Sequence, residues 1–222
     1  MFYIVGTPIG NLKDLSPRAL EVLKSVGILL AESPEDSRPL LNFYDIKPKK
    51  IIKYNEENRR KITPAIMEIL EKEDVVLITS AGMPGVSDPV ADLVSECYKK
   101  SVAVAPIPGP SALSAAIAVS GIYAKGFLFV GFLSRKTGDI VKLFNEAAEN
   151  DHALVFFESP FRLVKTIQLL EEKYPSAEVF LGKEMTKKFE KYLKMTPAGI
   201  SAIIKENKDF LKGEFTLIVK FS

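Results

Sequence analysis

Short apolar, β-branched runs alternate with longer stretches of helical period along the first half of the chain. Residues 2–5, 28–32, 50–53, 75–79 and 102–105 predict buried strands, and residues 18–26, 38–44, 64–73 and 89–100 predict the helices between them. This alternation predicts a parallel sheet with helices on both faces. The helix starts carry a local signature. Ser16-Pro17, Thr63-Pro64, Asp88-Pro89, Ser159-Pro160 and Thr196-Pro197 each set a capping oxygen before a proline at the first helical position.

The second half has a different rhythm. Residues 127–130, 153–157, 178–181, 189–193 and 215–221 predict strands, and residues 136–149, 161–173 and 197–206 predict helices. Residues 189–193 follow the preceding strand too closely for a helical crossover, so a mixed sheet is expected. The run Pro106-Ile107-Pro108-Gly109-Pro110 excludes a continuous helix and sets the boundary between two α/β domains, residues 1–108 and 109–222. Two segments echo one another: Ala31-Glu32-Ser33-Pro34 and Phe157-Glu158-Ser159-Pro160 each put a glutamate where a strand ends and a helix begins. Ligands of open α/β sheets sit at such carboxyl ends.

Composition narrows the chemistry. The 222 residues are 47% hydrophobic, enough for a real core, so a disordered chain is excluded. A net charge of +2 excludes a polycation that coats nucleic acid by charge alone. The single cysteine, Cys97, excludes a disulfide framework and multi-cysteine metal sites; the single histidine, His152, excludes HExxH and three-histidine centres. No metal is expected. His152, at a strand start, reads as a surface residue, and Cys97 as a core or half-buried helix residue without a basic neighbour to activate it. Residues 2–5 are too short for a signal-peptide core, and no apolar stretch nears the ~18 residues of a membrane span. A soluble, cytoplasmic protein is expected.

Three loops stand out. Gly6-Thr7-Pro8-Ile9-Gly10-Asn11 follows the first strand and matches neither GxGxxG nor the P-loop, which disfavours a Rossmann dinucleotide or a nucleoside triphosphate. The stretch from Thr79 to Pro89 is dominated by small residues, so backbone amides and carbonyls face a ligand unobstructed, as suits a flat polar molecule such as an adenosine. Pro108-Gly109-Pro110-Ser111-Ala112-Leu113 opens a helix, and Ser111 either caps it or joins Ala112 in touching a ligand. Basic residues cluster at positions 47–53, at Arg59-Arg60-Lys61 and between Lys183 and Lys194. In the last cluster Lys187 and Lys191 interleave with Phe189 and Tyr192, which makes either a solvated face or a surface for a nucleic-acid backbone.

Taken in order, these loops resemble a known family. They are Val5-Gly6-Thr7-Pro8-Ile9-Gly10-Asn11-Leu12, residues 80–89, Pro108-Gly109-Pro110-Ser111-Ala112-Leu113, Gly131-Phe132-Leu133-Ser134-Arg135-Lys136, Phe157-Glu158-Ser159-Pro160-Phe161-Arg162, Lys183-Glu184-Met185-Thr186-Lys187 and Gly213-Glu214-Phe215. The set is similar to the tetrapyrrole methylase superfamily, and within it to the bacterial 16S ribosomal RNA ribose-2′-O-methyltransferases that modify a cytidine. The resemblance covers nearly the whole chain. It implies a two-domain α/β homodimer with S-adenosylmethionine in a cleft between the domains, acting on the small ribosomal subunit or its 16S rRNA. It implies cofactor contacts from Pro8, from Ser80, Ala81, Gly82 and Val86, and from Ser111 and Ala112. Phe157, Met185 and the Phe215-Thr216 backbone would join them from the second domain. The chain keeps Glu32 and Arg38 of the family's Ala-Glu-Asp-Thr-Arg-His-Thr-Arg run but departs between them. It also departs at Ser80, Met83 and Phe161, where the family has aspartate, threonine and histidine.

Methyl transfer from a sulfonium to a ribose hydroxyl needs alignment and a proton acceptor, and no metal. The available acid–base groups are Glu158, Lys187, Glu32 and Glu184, with Glu158 foremost. Arg38, Arg162, Lys183 and Lys191 are the expected substrate contacts. Glu158 and Arg162, four residues apart across a helix start, alternatively pair with each other. Two other functions fit the same motifs: a tetrapyrrole C-methyltransferase, and a cofactor-binding protein without catalysis.

Overall fold

The alternation of strand and helix is realised in a computed structural model that describes residues 1–86, 88 and 90–221. The chain divides into two units, Met1–Ser111 and Ala112–Ser222. In the first unit the elements run β1 (Phe2–Val5), α1 (Pro17–Ser25), β2 (Ile28–Ala31), α2 (Pro34–Phe43), β3 (Lys50–Lys53), α3 (Arg59–Leu70), β4 (Val75–Ile78), α4 (Ala91–Lys99) and β5 (Val104–Ile107). The strands form one parallel sheet in the order β3-β2-β4-β1-β5.

Because side chains alternate along a strand, each strand feeds two cores. Val5, Leu29, Ala31, Val76 and Ile78 pack against α1 and α2 through Ala19, Leu23, Leu40 and Leu41. Phe2, Ile28, Leu30, Val75 and Leu77 pack against α3 and α4 through Ile66, Met67, Leu70, Leu93 and Cys97. Each valine, leucine, isoleucine, phenylalanine or methionine among them contributes about 1.5–3 kcal/mol of burial. The helices after β1 and β2 thus lie on one face, and those after β3 and β4 on the other.

The largest departures from expectation have local causes. Helix α2 starts at Pro34, not at residue 38, because Ser33 caps it: Asp36 N donates to Ser33 Oγ at 3.3 Å. Helix α3 starts at Arg59 and encloses Pro64. Its start is set by Asn55 and Asn58, whose side chains each accept from the other's backbone N–H, while the Thr63 hydroxyl donates to Arg59 O instead of capping. Strand β5 falls two residues late and takes in Pro106. The strand lies at the sheet edge and bonds β1 through Ala103 O and Ile107 O, so the proline nitrogen faces away from the ladder. The expected helix start at Pro89 lies outside the described residues.

The second unit runs α5 (Ala112–Ser120), β6 (Gly126–Phe132), α6 (Thr137–Glu149), β7 (His152–Glu158), α7 (Pro160–Lys173), β8 (Glu178–Lys183), β9 (Lys191–Met195), α8 (Pro197–Glu206) and β10 (Phe215–Lys220). Its sheet has the order β6-β7-β10-β8-β9. The β6–β7 pair is parallel and the rest are antiparallel, the mixed sheet that the short β8–β9 connection requires. One face carries Leu154, Phe156, Leu181 and Leu217 against α6, α7 and α8; the other carries Val155, Phe180 and Ile218 against α5. Strand β9 begins two residues later than expected because residues 184–190 form a turn, in which Thr186 N donates to Glu190 Oε2 and Glu190 N to Lys187 O.

Candidate active site

The first unit gathers its candidate residues at the carboxyl ends of β1, β2, β4 and β5. Strand β4 lies between β2 and β1, and its following helix takes the opposite face from theirs. The loop after β4 therefore leaves at a topological switch point. Main chain holds the loops to one another. Thr7 N donates to Gly82 O at 2.9 Å, and Gly82 N donates back to Thr7 O at 3.1 Å. Gly82 has a φ of +82°, and a Cβ there would lie 3.2 Å from Ile9 Cγ2. Gly6 and Gly109 meet backbone to backbone: a Cβ on Gly109 would stand 2.6 Å from Gly6 O, closer than a side chain can come.

Around this bridge lie exposed Ser80 and Ala81, half-buried Val86 and Ser111, and buried Pro8. Glu32, one residue past β2, reaches across to the β4 loop. Its Oε2 accepts from Ser80 N at 3.2 Å and from Ser80 Oγ at 3.0 Å, and its Oε1 has no protein partner among the described residues. Arg38 lies exposed on α2.

In the second unit the register aligns the candidates at one end of the sheet. Glu158, Phe215, Lys183 and Lys191 stand side by side across β7, β10, β8 and β9. Phe132, Phe157, Thr216, Gly182 and Tyr192 form the neighbouring row. Directly opposed residues share a face, so the two rows point to opposite sides. Phe157 and Thr216 belong to the α5 side, with Met185 buried against Ala116 and Phe180. Glu158, Phe215 and Lys183 belong to the other side, where the Lys183 ammonium sits 5.0 Å from the centre of the Phe210 ring. Ala112 is the first residue of α5.

Glu158 is enclosed, and both its oxygens are committed. Oε1 accepts from Ser159 N at 2.8 Å and lies 3.4 Å from Arg162 Nε; Oε2 accepts from the Thr166 hydroxyl at 2.7 Å. The carboxylate therefore closes the first turn of α7. Ser159, expected to cap this helix, makes no capping bond. Arg162 pairs with Glu158 and also donates through Nη2 to Leu133 O and Ser134 O, at 3.0 and 2.8 Å. It ties the end of β6 to α7.

Beyond β8, Glu184, Lys187 and Glu214 form a charge cluster. Glu184 Oε1 accepts from Lys187 Nζ and Glu214 N, and Lys187 Nζ also donates to Glu214 Oε2, all at 2.9 Å. Three backbone positions there are left-handed: Glu184 at φ 50°, Thr186 at 66° and Gly213 at 102°. A Cβ on Gly213 would strike Glu184 Cδ at 2.5 Å. Burial works against charge on Lys187, but the carboxylates of Glu214 and Glu184 outweigh it and hold the ammonium above the ordinary lysine value. Burial likewise opposes ionisation of Glu184; the Glu214 N–H and Lys187 outweigh it and hold the carboxyl below its usual range. Lys183 is shifted down, first by burial and then by Lys191 beside it.

Thr7, Thr166 and Glu214 join the site without having been expected there. Gly213 beside Glu214 is a usable signal for a close backbone approach; Thr166, eight residues from Glu158, has none. His152 is half-buried at the opposite end of β7 from Glu158, roughly 20 Å away at the rise of a strand. Cys97 is fully buried 4.0 Å from Met67 Sδ, and burial pushes its thiol up. Among the described residues no cluster of histidine, cysteine or acid is arranged to hold a metal ion, and no helix is long and apolar enough to cross a membrane.

A parallel unit with backbone-built loops at its strand ends, followed by a mixed-sheet unit, defines the tetrapyrrole methylase fold. A diphthine synthase crystal structure superposes with a TM-score of 0.77 at 15% identity, covering 99% of this chain and 89% of that one. A cobalt precorrin-4 methyltransferase structure gives 0.71 at 16%, covering 98% and 93%. The family model described as Tetrapyrrole (Corrin/Porphyrin) Methylases matches residues 1–200. The chain is 39% identical to the Ribosomal RNA small subunit methyltransferase I of Thermotoga maritima over 217 residues, covering 97% of this chain and 96% of that protein. With the protein of the same name from Bacillus subtilis it shares 34% over 224 residues, covering 100% and 75%. The chain belongs to the tetrapyrrole methylase family and is an S-adenosylmethionine-dependent methyltransferase.

Proposed function

We propose that the protein methylates the 2′-hydroxyl of a cytidine ribose in the 16S rRNA of the small ribosomal subunit, as a cytoplasmic homodimer. The observation that carries this reading is the full-length likeness to proteins named for small-subunit rRNA methylation. The first unit suits the cofactor on its own geometry. Its loops offer a main-chain surface at Ser80-Ala81-Gly82, where the side chains are small and Gly82 takes a conformation that favours glycine. Pro8, Val86, Ser111 and Ala112 would complete the cradle, with Phe157, Met185 and the backbone of Phe215 and Thr216 drawn from the second unit. When bound, S-adenosylmethionine supplies an electrophilic methyl on a sulfonium.

The chain's own task is to hold the ribose hydroxyl in line and to take its proton. Among the described residues Glu32 and Glu184 each keep one carboxylate oxygen without a protein partner, and of the two Glu32 is the one not ion-paired. Glu158 spends both of its oxygens on α7, Lys187 is held as a cation, and Glu184 is tied to Lys187 and Glu214. We therefore assign the proton to Glu32 Oε1, with Ser80 fixing the carboxylate through Oε2. Lys183, Lys191 and exposed Arg38 are the proposed phosphate contacts, while Arg162 is committed to Glu158, Leu133 O and Ser134 O. The test is transfer of tritiated methyl from S-adenosylmethionine to 30S subunits, followed by nucleoside analysis of the rRNA. The expected product is 2′-O-methylcytidine. Label on a base, or no label in the rRNA, would overturn the reading.

A further inference from the structure

A groove of ≈ 600 Å³ lies wholly within the second unit, between the loop after β6 and helix α7. Ser134, Arg135 and Thr137 line one wall; Phe161, Arg162 and Lys165 line the other. It opens where the parallel strands β6 and β7 end, the side of a sheet on which α/β proteins place ligands. Three of its lining residues are cationic, and Glu172 is its one acid. Arg135 and Lys165 are exposed and have no carboxylate partner among the described residues. Elsewhere, Lys187 holds two acids, Lys194 holds Glu178, and Lys220 holds Asp151. Three cations against one acid give the lining a net +2, as much as the whole chain carries.

Phe161 is 96% exposed, although it begins a helix with an extensive buried face. It and Lys165 are four residues apart, so they stand one turn above the other on the same side of α7. The opposite wall is ordered before any ligand arrives. Arg162 bonds Ser134 O, the Ser134 hydroxyl donates to Asp139 Oδ2 at 2.9 Å, and Lys136 N donates to Ser134 Oγ at 3.2 Å. Arg135 is thus carried by a loop pinned on both sides, which lowers the ordering cost of binding.

We propose that this groove seats single-stranded RNA, with Arg135 and Lys165 on backbone phosphates and one base stacked on Phe161. The inference rests on the RNA-methylating reading above and deepens it. An aromatic face beside unpaired cations is the combination that binds single strands without regard to sequence, through stacking and charge.

The test is fluorescence anisotropy of a labelled, unstructured RNA oligonucleotide, measured across a salt series. Arg135→Ala with Lys165→Ala should reduce the slope of log affinity against log salt by about 1.4, at about 0.7 per phosphate contact on a single strand. Phe161→Ala should weaken binding by about 5- to 100-fold and leave the slope unchanged. Urea midpoints matching the native chain exclude misfolding. Unchanged slope and affinity in these variants would overturn the proposal. So would loss of affinity for assembled 30S subunits with full retention for the naked oligonucleotide, which would mark a ribosomal protein as the occupant. Methyl transfer by the native chain is scored separately. A native chain that labels no rRNA while its groove variants lose RNA as expected removes the functional reading and leaves the groove an RNA seat.

Discussion

Two glutamates stand at matching strand ends, in different surroundings. Glu158 is sealed under α7 with a hydroxyl, an amide and a guanidinium on its carboxylate; Glu32 keeps an oxygen without a partner among the described residues. Glu32→Gln is expected to lower the single-turnover methylation rate by roughly 10²–10⁴-fold, with the urea midpoint little changed. Glu158→Ala should instead cost about 3 kcal/mol of stability, read by urea denaturation, because it strands a buried amide and hydroxyl. The Glu184–Lys187 pair gives a pH signature. Glu184 titrates at 4.5 when unperturbed and lower when folded, so its stabilisation is complete above the unfolded value and is lost as pH falls through the folded one. Lys187 titrates at 10.5 when unperturbed and higher when folded, so its share is complete below that value and is lost as pH rises through the folded one. The difference in unfolding free energy between the native chain and Glu184→Gln should be flat from about pH 5.5 to about 9.5 and shrink below about pH 4.

Among the elements, the loops of the first unit are fixed by contacts between peptide groups. Gly109→Ala pushes a methyl into the Gly6 carbonyl and should lower the unfolding free energy by several kcal/mol, of order 3 or more, in chemical denaturation. Gly82→Val adds a β-branched side chain at positive φ against Ile9; calorimetry should find S-adenosylmethionine binding abolished. Strand and helix identity was legible along most of the chain, because period two and period 3.6 leave separate marks on where apolar residues fall. Helix starts were less so. A proline announces a first turn at Pro17 and Pro197, yet Pro64 sits inside α3, because the reciprocal Asn55–Asn58 turn opens the helix five residues earlier. That the first unit's loops pack main chain to main chain was foreshadowed by their small residues. The facing of the second sheet was not, since it depends on how β7, β10 and β8 align, and no single segment encodes that register. The burial of Glu158 was equally out of reach, because it depends on Thr166 two turns along α7.

At the scale of the whole molecule, S-adenosylmethionine is proposed to meet loops of both units. Saturating S-adenosylmethionine should therefore slow amide hydrogen exchange around residues 79–82 and also around residues 182–186. It should also raise the unfolding free energy by about 2.7 kcal/mol at a hundredfold excess over Kd. Protection confined to residues 79–82 would assign the cofactor to the first unit alone. The bridge between Thr7 and Gly82 bears on how this site can change over time. Peptide groups are common to every residue, so a contact made by them is indifferent to the letters written at Ser80 or Met83. A saturation library selected for S-adenosylmethionine capture should give a tolerance map in which Gly82 and Gly109 are fixed columns, with a variable column at Met83. Such a lineage is free to revise what it methylates while the holder of its methyl donor stays as it is.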